Sequence, residues 1–259
     1  QFKSDLFRNN DWYVSVFANL AHNKNEILKV SESLKAYNDA VDKDFAESNA
    51  FDGSTSKPIT KYTEGGSLTS IYAMRSLGID PATGQEILVN RDGSVTYTWN
   101  SSEQVVVGNT NPHWIGGFNT TLRWKNFQLY GRFDFAFDYW IYDNTTPWFL
   151  GCMQGTYNTT KDVFNTWSEE NPNAKYPRMY GQNPTVGSNY GRKTDKYLSN
   201  AAYFRIKNVT LSYTVPKTWI SRIGLNQLKG FVSVENLATF SSLPSGIDPE
   251  TLSWNYPAF

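Results

Sequence analysis

Residues Gly116 to Tyr142 read GGFNTTLRWKNFQLYGRFDFAFDYWIY. Two runs of strict alternation meet at Lys125-Asn126. In the first, Phe118, Thr120, Leu122 and Trp124 share one face, and Asn119, Thr121, Arg123 and Lys125 share the other. In the second, Phe127, Leu129, Gly131, Phe133, Phe135, Phe137 and Tyr139 face one way, and Gln128, Tyr130, Arg132, Asp134, Ala136 and Asp138 face the other. A period of two sends successive side chains to opposite sides of a sheet, so the spacing predicts two antiparallel strands and a tight turn. The second run exceeds the roughly 5–6 residues of an ordinary strand. It reaches the roughly 9–11 tilted residues that a membrane-spanning strand needs. Its one face is mostly aromatic and its other carries both signs of charge. The expectation is that Phe133, Phe135 and Phe137 face lipid while Arg132, Asp134 and Asp138 face a lumen. The alternative is a soluble β-sandwich or a long extended hairpin.

Composition narrows the classes further. The chain has 259 residues and a formal net charge of zero, so no basic footprint argues for nucleic acid. Aromatic residues make up 16%, which favours sheet over helix. No run of about 18 apolar residues marks a transmembrane helix, and a β-barrel would show none. Cys152 is the only cysteine, which excludes an intrachain disulfide and a cysteine-based metal cluster. The chain starts at Gln1 without a signal peptide, the expectation for a mature or truncated piece.

Outward from the central hairpin, long and short connections alternate. Residues 1–10 read as a strand running into the turn Arg8 to Asp11, and 12–22 (WYVSVFANLAH) as a strand of spanning length with alternation blurred at Phe17 and Ala21. Residues 23–111 are polar and irregular. They hold a helix candidate over Lys35 to Phe51, a turn at Tyr62 to Gly66, an apolar segment Ser70 to Ile79, and a hairpin of Glu86–Val89 with Val95–Trp99 around Arg91-Asp92-Gly93. Residues 143–202 form a second excursion with a short helix candidate over Thr159 to Glu169. Residues 203–215 and 228–240 read as strands, separated by a turn with a short amphipathic piece. A long loop is uncommon in a compact soluble domain. Long outer loops and short periplasmic turns are the asymmetry of an outer-membrane barrel.

Seven phrases, in order, carry a resemblance to a family. They are FANLAHNKN (17–25), EGGSLTSIY (64–72), GIDPATG (78–84), VGNTNPHWIGGFN (107–119), ENPNA (170–174), YFRIKNVTLSY (203–213), and SVENLATF (233–240) with GIDPE (246–250). The chain resembles the C-terminal part of SusC/RagA-like TonB-dependent outer-membrane transporters of Bacteroidota. The resemblance implies an all-β fold, an antiparallel transmembrane barrel segment over residues 1–259, with about six strands of a barrel of about 22 strands and a plugged lumen. It departs from the family pattern in the apparent absence of a closing strand after Asp248, of the plug and of earlier barrel strands. It implies location in the bacterial outer membrane and TonB-dependent import of oligosaccharides or peptides. Its implied partners are a SusD-like surface lipoprotein, the TonB complex through regions not in this chain, the glycan or peptide substrate, and outer-membrane lipid. No cofactor and no nucleic acid are implied. The reading from a different class is a soluble β-rich glycan-binding or adhesin module.

No enzyme signature is present. His22 and His113 lack metal-site spacing, no GxSxG, P-loop or GxGxxG occurs, and the Asn90 to Ser94 loop lacks the carboxylate series a hard cation needs. The expectation is therefore no catalytic residue, no metal and no chemistry on a substrate. Asn144-Thr145-Thr146 and Asn158-Thr159-Thr160 match a glycosylation pattern that means little in a bacterial protein. Loop aromatics suit sugars, whose apolar faces stack on rings. Trp148, Phe149, Tyr157 and Trp167 are the candidates for substrate or partner contact, while Tyr139 and Trp140 are expected in an aromatic belt at the membrane boundary.

Overall fold

The computed structural model describes residues 1–47, 61–143, 146, 150, 161–178, 194–243 and 247–250. Among them the strands are β1 (Phe2–Arg8), β2 (Trp12–His22), β3 (Ser70–Ala73), β4 (Arg75–Ile79), β5 (Glu86–Val89), β6 (Val95–Thr96), β7 (Val105–Asn109), β8 (Trp114–Trp124), β9 (Phe127–Phe137), β10 (Trp140–Tyr142), β11 (Leu198–Asn200), β12 (Tyr203–Thr214) and β13 (Lys229–Ser241). Helix α1 spans Glu32–Glu47, and a single helical turn, α2, spans Lys217–Ile220. The chain divides into two compact units. The first comprises Gln1–Asn23, Pro112–Tyr139 and Asn200–Phe259, and the second Lys24–Asn111 and Trp140–Ser199.

The first unit is one six-stranded antiparallel sheet in the order β1-β2-β8-β9-β12-β13. Its two outer edges are not joined, so it is an open wall rather than a closed barrel. The two-residue turn at Lys125-Asn126 pairs Trp124 with Phe127, and Lys125 adopts a φ of 49° there. The short turns gather at this end. The Lys125 amide donates to the Asp11 carbonyl, and the Thr214 amide donates to the Asn126 carbonyl.

Register fixes which residues share a face. Val14, Leu122, Leu129 and Leu211 align on one side, and Tyr13, Arg123, Gln128 and Ser212 on the other. Phe17, which blurs the alternation of β2, stands opposite Asn119 and so on the polar side. Bulges between Asp5 and Phe7 and between Ile206 and Asn208 each absorb one residue without turning the strand over.

The apolar face has aromatic rows at both ends. Near the turn, Trp12 and Trp124 lie 5.9 Å apart, Trp124 and Phe127 6.1 Å, and Phe127 and Tyr213 4.7 Å. At the far end His22 lies 4.3 Å from Trp114, and Phe135 lies 5.2 Å from Phe137. Between them come aliphatic side chains and the Phe118–Phe133 pair, 4.6 Å apart. The eleven residues of β8 join the two rows. At about 3.3 Å per residue they cover roughly 35 Å along the strand. A tilt of about 40° brings that close to the ~25 Å apolar band of an outer-membrane barrel.

Among the described residues all strands of this unit lie in one sheet, and no second sheet of the unit packs on the apolar face. Leu211, Val232 and Phe137 stay open at 49%, 71% and 42% exposure. A soluble sandwich buries such side chains between sheets.

The second unit is built from short pieces. β3 pairs with β7, β4-β5-β6 form a small sheet, and β10 pairs with β11. The apolar segment from Ser70 breaks at Met74 into two strands in different sheets. Met74 is fully buried with Leu88 and Trp99 in one cluster, while Leu150, Tyr176 and Tyr197 form another with Tyr142 and Val163 beside it. The predicted helix over Thr159 to Glu169 is a single 3-10 stretch at Lys161–Asn165. Asp80 organises the GIDPATG turn. Its carboxylate accepts from the Ala82 amide at 2.9 Å and from the Thr83 and Tyr97 hydroxyls at 2.8 Å each, which holds the carboxyl below its ordinary range.

Candidate functional site

The polar face of the sheet gathers charge that alternation put there. Arg132 and Asp134 lie on it and pair at 3.5 Å. Phe133 and Phe135 project from the opposite face, where their rings fill the space that glycines leave. The Phe133 ring lies over Gly131, and the Phe135 ring over Gly116. A methyl at Gly116 would meet the Phe135 ring and the Asn19 carbonyl oxygen at 2.6 Å each.

Asp138 lies just past the end of the same strand. β9 ends at Phe137, and Asp138 takes a left-handed φ of 60°. The resulting bend carries its carboxylate to His113, whose Nδ1 lies 2.6 Å from Oδ2. The same bend redirects the aromatics that follow. Tyr139, expected in a membrane-boundary belt, is 3% exposed, and its hydroxyl donates to the Pro249 carbonyl at 2.7 Å. Burial raises its pKa beyond the usual phenol range. Trp140 packs over Gly108.

Of the loop aromatics, Trp148, Phe149 and Tyr157 lie outside the described residues. Trp167 is packed against its own loops. It is 9% exposed, Gly84 lies against its six-membered ring, the Arg178 guanidinium sits 5.5 Å over it, and its indole N–H donates to the Pro81 carbonyl at 2.9 Å. Its aromatic character locks the ENPNA segment onto the GIDPATG turn. The sequence showed a loop tryptophan but not the glycine that accepts it.

A further polar cluster went unread in the sequence, although its members sit inside two of the quoted phrases. Arg205 of β12, with its side chain 8% exposed, reaches Asp248 Oδ1 at 2.8 Å and Glu250 Oε2 at 2.5 Å. Lys207 shares Glu250 at 2.7 Å. The phrases lie some forty residues apart, so nothing local pairs them. Among the described residues no group of three or more His, Cys, Asp or Glu side chains is placed to hold a metal ion.

A single antiparallel sheet with an open aromatic-rimmed face and a charged opposite face defines a segment of a transmembrane β-barrel wall. Comparison with known proteins agrees. The chain is 28% identical over 250 residues to a TonB-dependent receptor of Formosa agariphila, covering 93% of this chain and 24% of that protein. A second TonB-dependent receptor of the same organism is 26% identical over 166 residues, covering 62% and 15%. No protein-family model matches the chain. Among solved structures, the RagAB peptide transporter superposes with a TM-score of 0.69 at 23% identity over 96% of this chain and 26% of that one. The RagAB peptide importer in its closed-closed state gives 0.68 at 23% identity over the same shares. The chain thus spans about a quarter or less of the length of these relatives; in sequence it is similar to part of TonB-dependent receptors, and in fold to part of a transporter barrel. The relatives are receptors and transporters by name, not enzymes.

Proposed function

We propose that the chain forms part of the wall and loops of an outer-membrane transporter that imports glycans or peptides by TonB-dependent coupling, without chemistry on the cargo. The observation that carries this reading is the open face of the six-stranded sheet, rimmed at both ends by aromatic rings and apolar between them. That pattern suits lipid. The charged opposite face suits a lumen wall, with Arg132 and Asp134 lining it and Phe133, Phe135 and Phe137 outside. The long connections, residues 23–111 and 143–202, face the cell exterior in this reading and meet a SusD-like lipoprotein and the cargo. Trp148, Phe149 and Tyr157 remain candidates for those contacts. RagAB is a peptide transporter, which supports peptide as one cargo class. Loop aromatics keep glycan beside it.

The test uses the full-length transporter in its own membrane. Deleting it should abolish growth on one oligosaccharide or peptide mixture and leave growth on the corresponding monomers intact. The purified protein should also extract only with detergent. Recovery in plain buffer as a soluble monomer would refute the reading.

A further inference from the structure

On the polar face of the wall, residues 248–250, beyond β13, meet two cations of β12. The Arg205 fork gives one terminal nitrogen to Asp248 and the other to Glu250, while its Nε donates to the Thr239 hydroxyl at 2.8 Å. Alternation places Lys207 on the same side, and it takes Glu250 at 2.7 Å. The Tyr139 hydroxyl holds the carbonyl of Pro249 between the two acids. Two cations, two residues apart, thus hold two carboxylates, two residues apart. A guanidinium fork with an ammonium beside it suits carboxylate oxygens, and its burial strengthens each bond.

We propose that Arg205 and Lys207 form a carboxylate-binding site on the lumen wall. The chain's own Asp248 and Glu250 occupy it here, and a ligand bearing two carboxylates takes their place. This rests on the polar face being the lumen, as argued above. Two observations favour exchange over a fixed brace. The Glu250 side chain is 40% exposed, so one end of the site opens to solvent. Asp134 stands directly across from Arg205 in the β9–β12 register, at present paired with Arg132. Side chains directly opposite lie within contact reach, so Arg205 has a second acidic partner to turn to when the segment leaves. Release then does not strand a buried guanidinium, which would be the main cost of opening. The ligand chemistry is a closely spaced pair of carboxylates, whether on an acidic peptide or on a uronate-bearing oligosaccharide.

The experiment is hydrogen exchange at residues 247–250 in the full-length protein in detergent, with Asp-Ala-Glu peptide, trigalacturonate, and the neutral peptide Asn-Ala-Gln as probes. One of the acidic probes should raise exchange there by about tenfold, as local opening does. The neutral peptide should leave it unchanged, and the responding acidic probe identifies the source of the carboxylates. Arg205→Ala should show the raised exchange without any probe and lose the response. Should that variant fail to fold, Lys207→Ala should weaken the probe response several-fold. Exchange that ignores both acidic probes while Arg205→Ala raises it would make the segment a fixed brace and overturn the proposal. Because the readout needs only a folded barrel, displacement without import would count against transport and not against the site.

Discussion

At the residue scale, small and charged residues decide more than their size suggests. The Phe135 ring and the Asn19 carbonyl both close on the position that a side chain at Gly116 would take. Gly116→Ala should therefore overpack the wall and cost about 1–3 kcal/mol. The folded fraction in a urea titration of the refolded full-length barrel would show it. The pair of Lys196 with Glu86, at 3.1 Å with side chains 8% and 3% exposed, is a second such point. Burial lowers the pKa of Lys196, and Glu86 pulls it back. Lys196→Met would leave a buried carboxylate unpaired, at about 3–5 kcal/mol. Proteolysis of the second unit should accelerate accordingly. Beside it, burial raises the Asp195 carboxyl, partly opposed by the Ser76 amide at 2.8 Å. A raised carboxyl binds its proton more tightly when folded, so its contribution to stability falls as pH rises from the unfolded value through the folded one. Asp195→Asn should flatten that part of a stability-versus-pH curve measured across the acid range.

At the element scale, the central hairpin carries the facing. Turning β9 over, or slipping it by one residue, would send Arg132 and Asp134 to lipid and three Phe rings to a charged face. An Arg facing lipid at mid-membrane costs roughly 2–4 kcal/mol, whereas a lumen face tolerates charge. Phe135→Arg should therefore impair assembly of the full-length barrel far more than Asp134→Arg, read as heat-modifiable mobility on a gel. Equal impairment by both would contradict the facing. The limits of the alternation are as informative. The pattern runs on in the sequence to Tyr139, but the chain leaves β9 at Phe137 because Asp138 takes a left-handed φ and turns to His113. Such a φ is accessible to Asp at low cost and leaves no mark in a hydrophobic period.

At the scale of the whole molecule, the alternation of long and short connections sets the orientation. Protease added to intact cells should cut within residues 23–111 or 143–202 and spare Lys125, which sits in a two-residue turn. Cleavage at Lys125 alone would reverse the assignment. The sequence by itself determined the wall. The runs 12–22, 116–139, 203–215 and 228–240 match β2, β8 with β9, β12 and β13 to within a residue or two. A period of two needs no knowledge of distant partners, and one face of each strand must be apolar in lipid. Only the tertiary structure decided the rest. It assigned Trp167 to Gly84, split the segment around Met74 between two sheets, and brought Arg205 to Asp248 and Glu250. Each of these depends on residues far apart in the chain that meet one to one. A local pattern records the face a side chain takes; which distant glycine or carboxylate receives it is settled by packing.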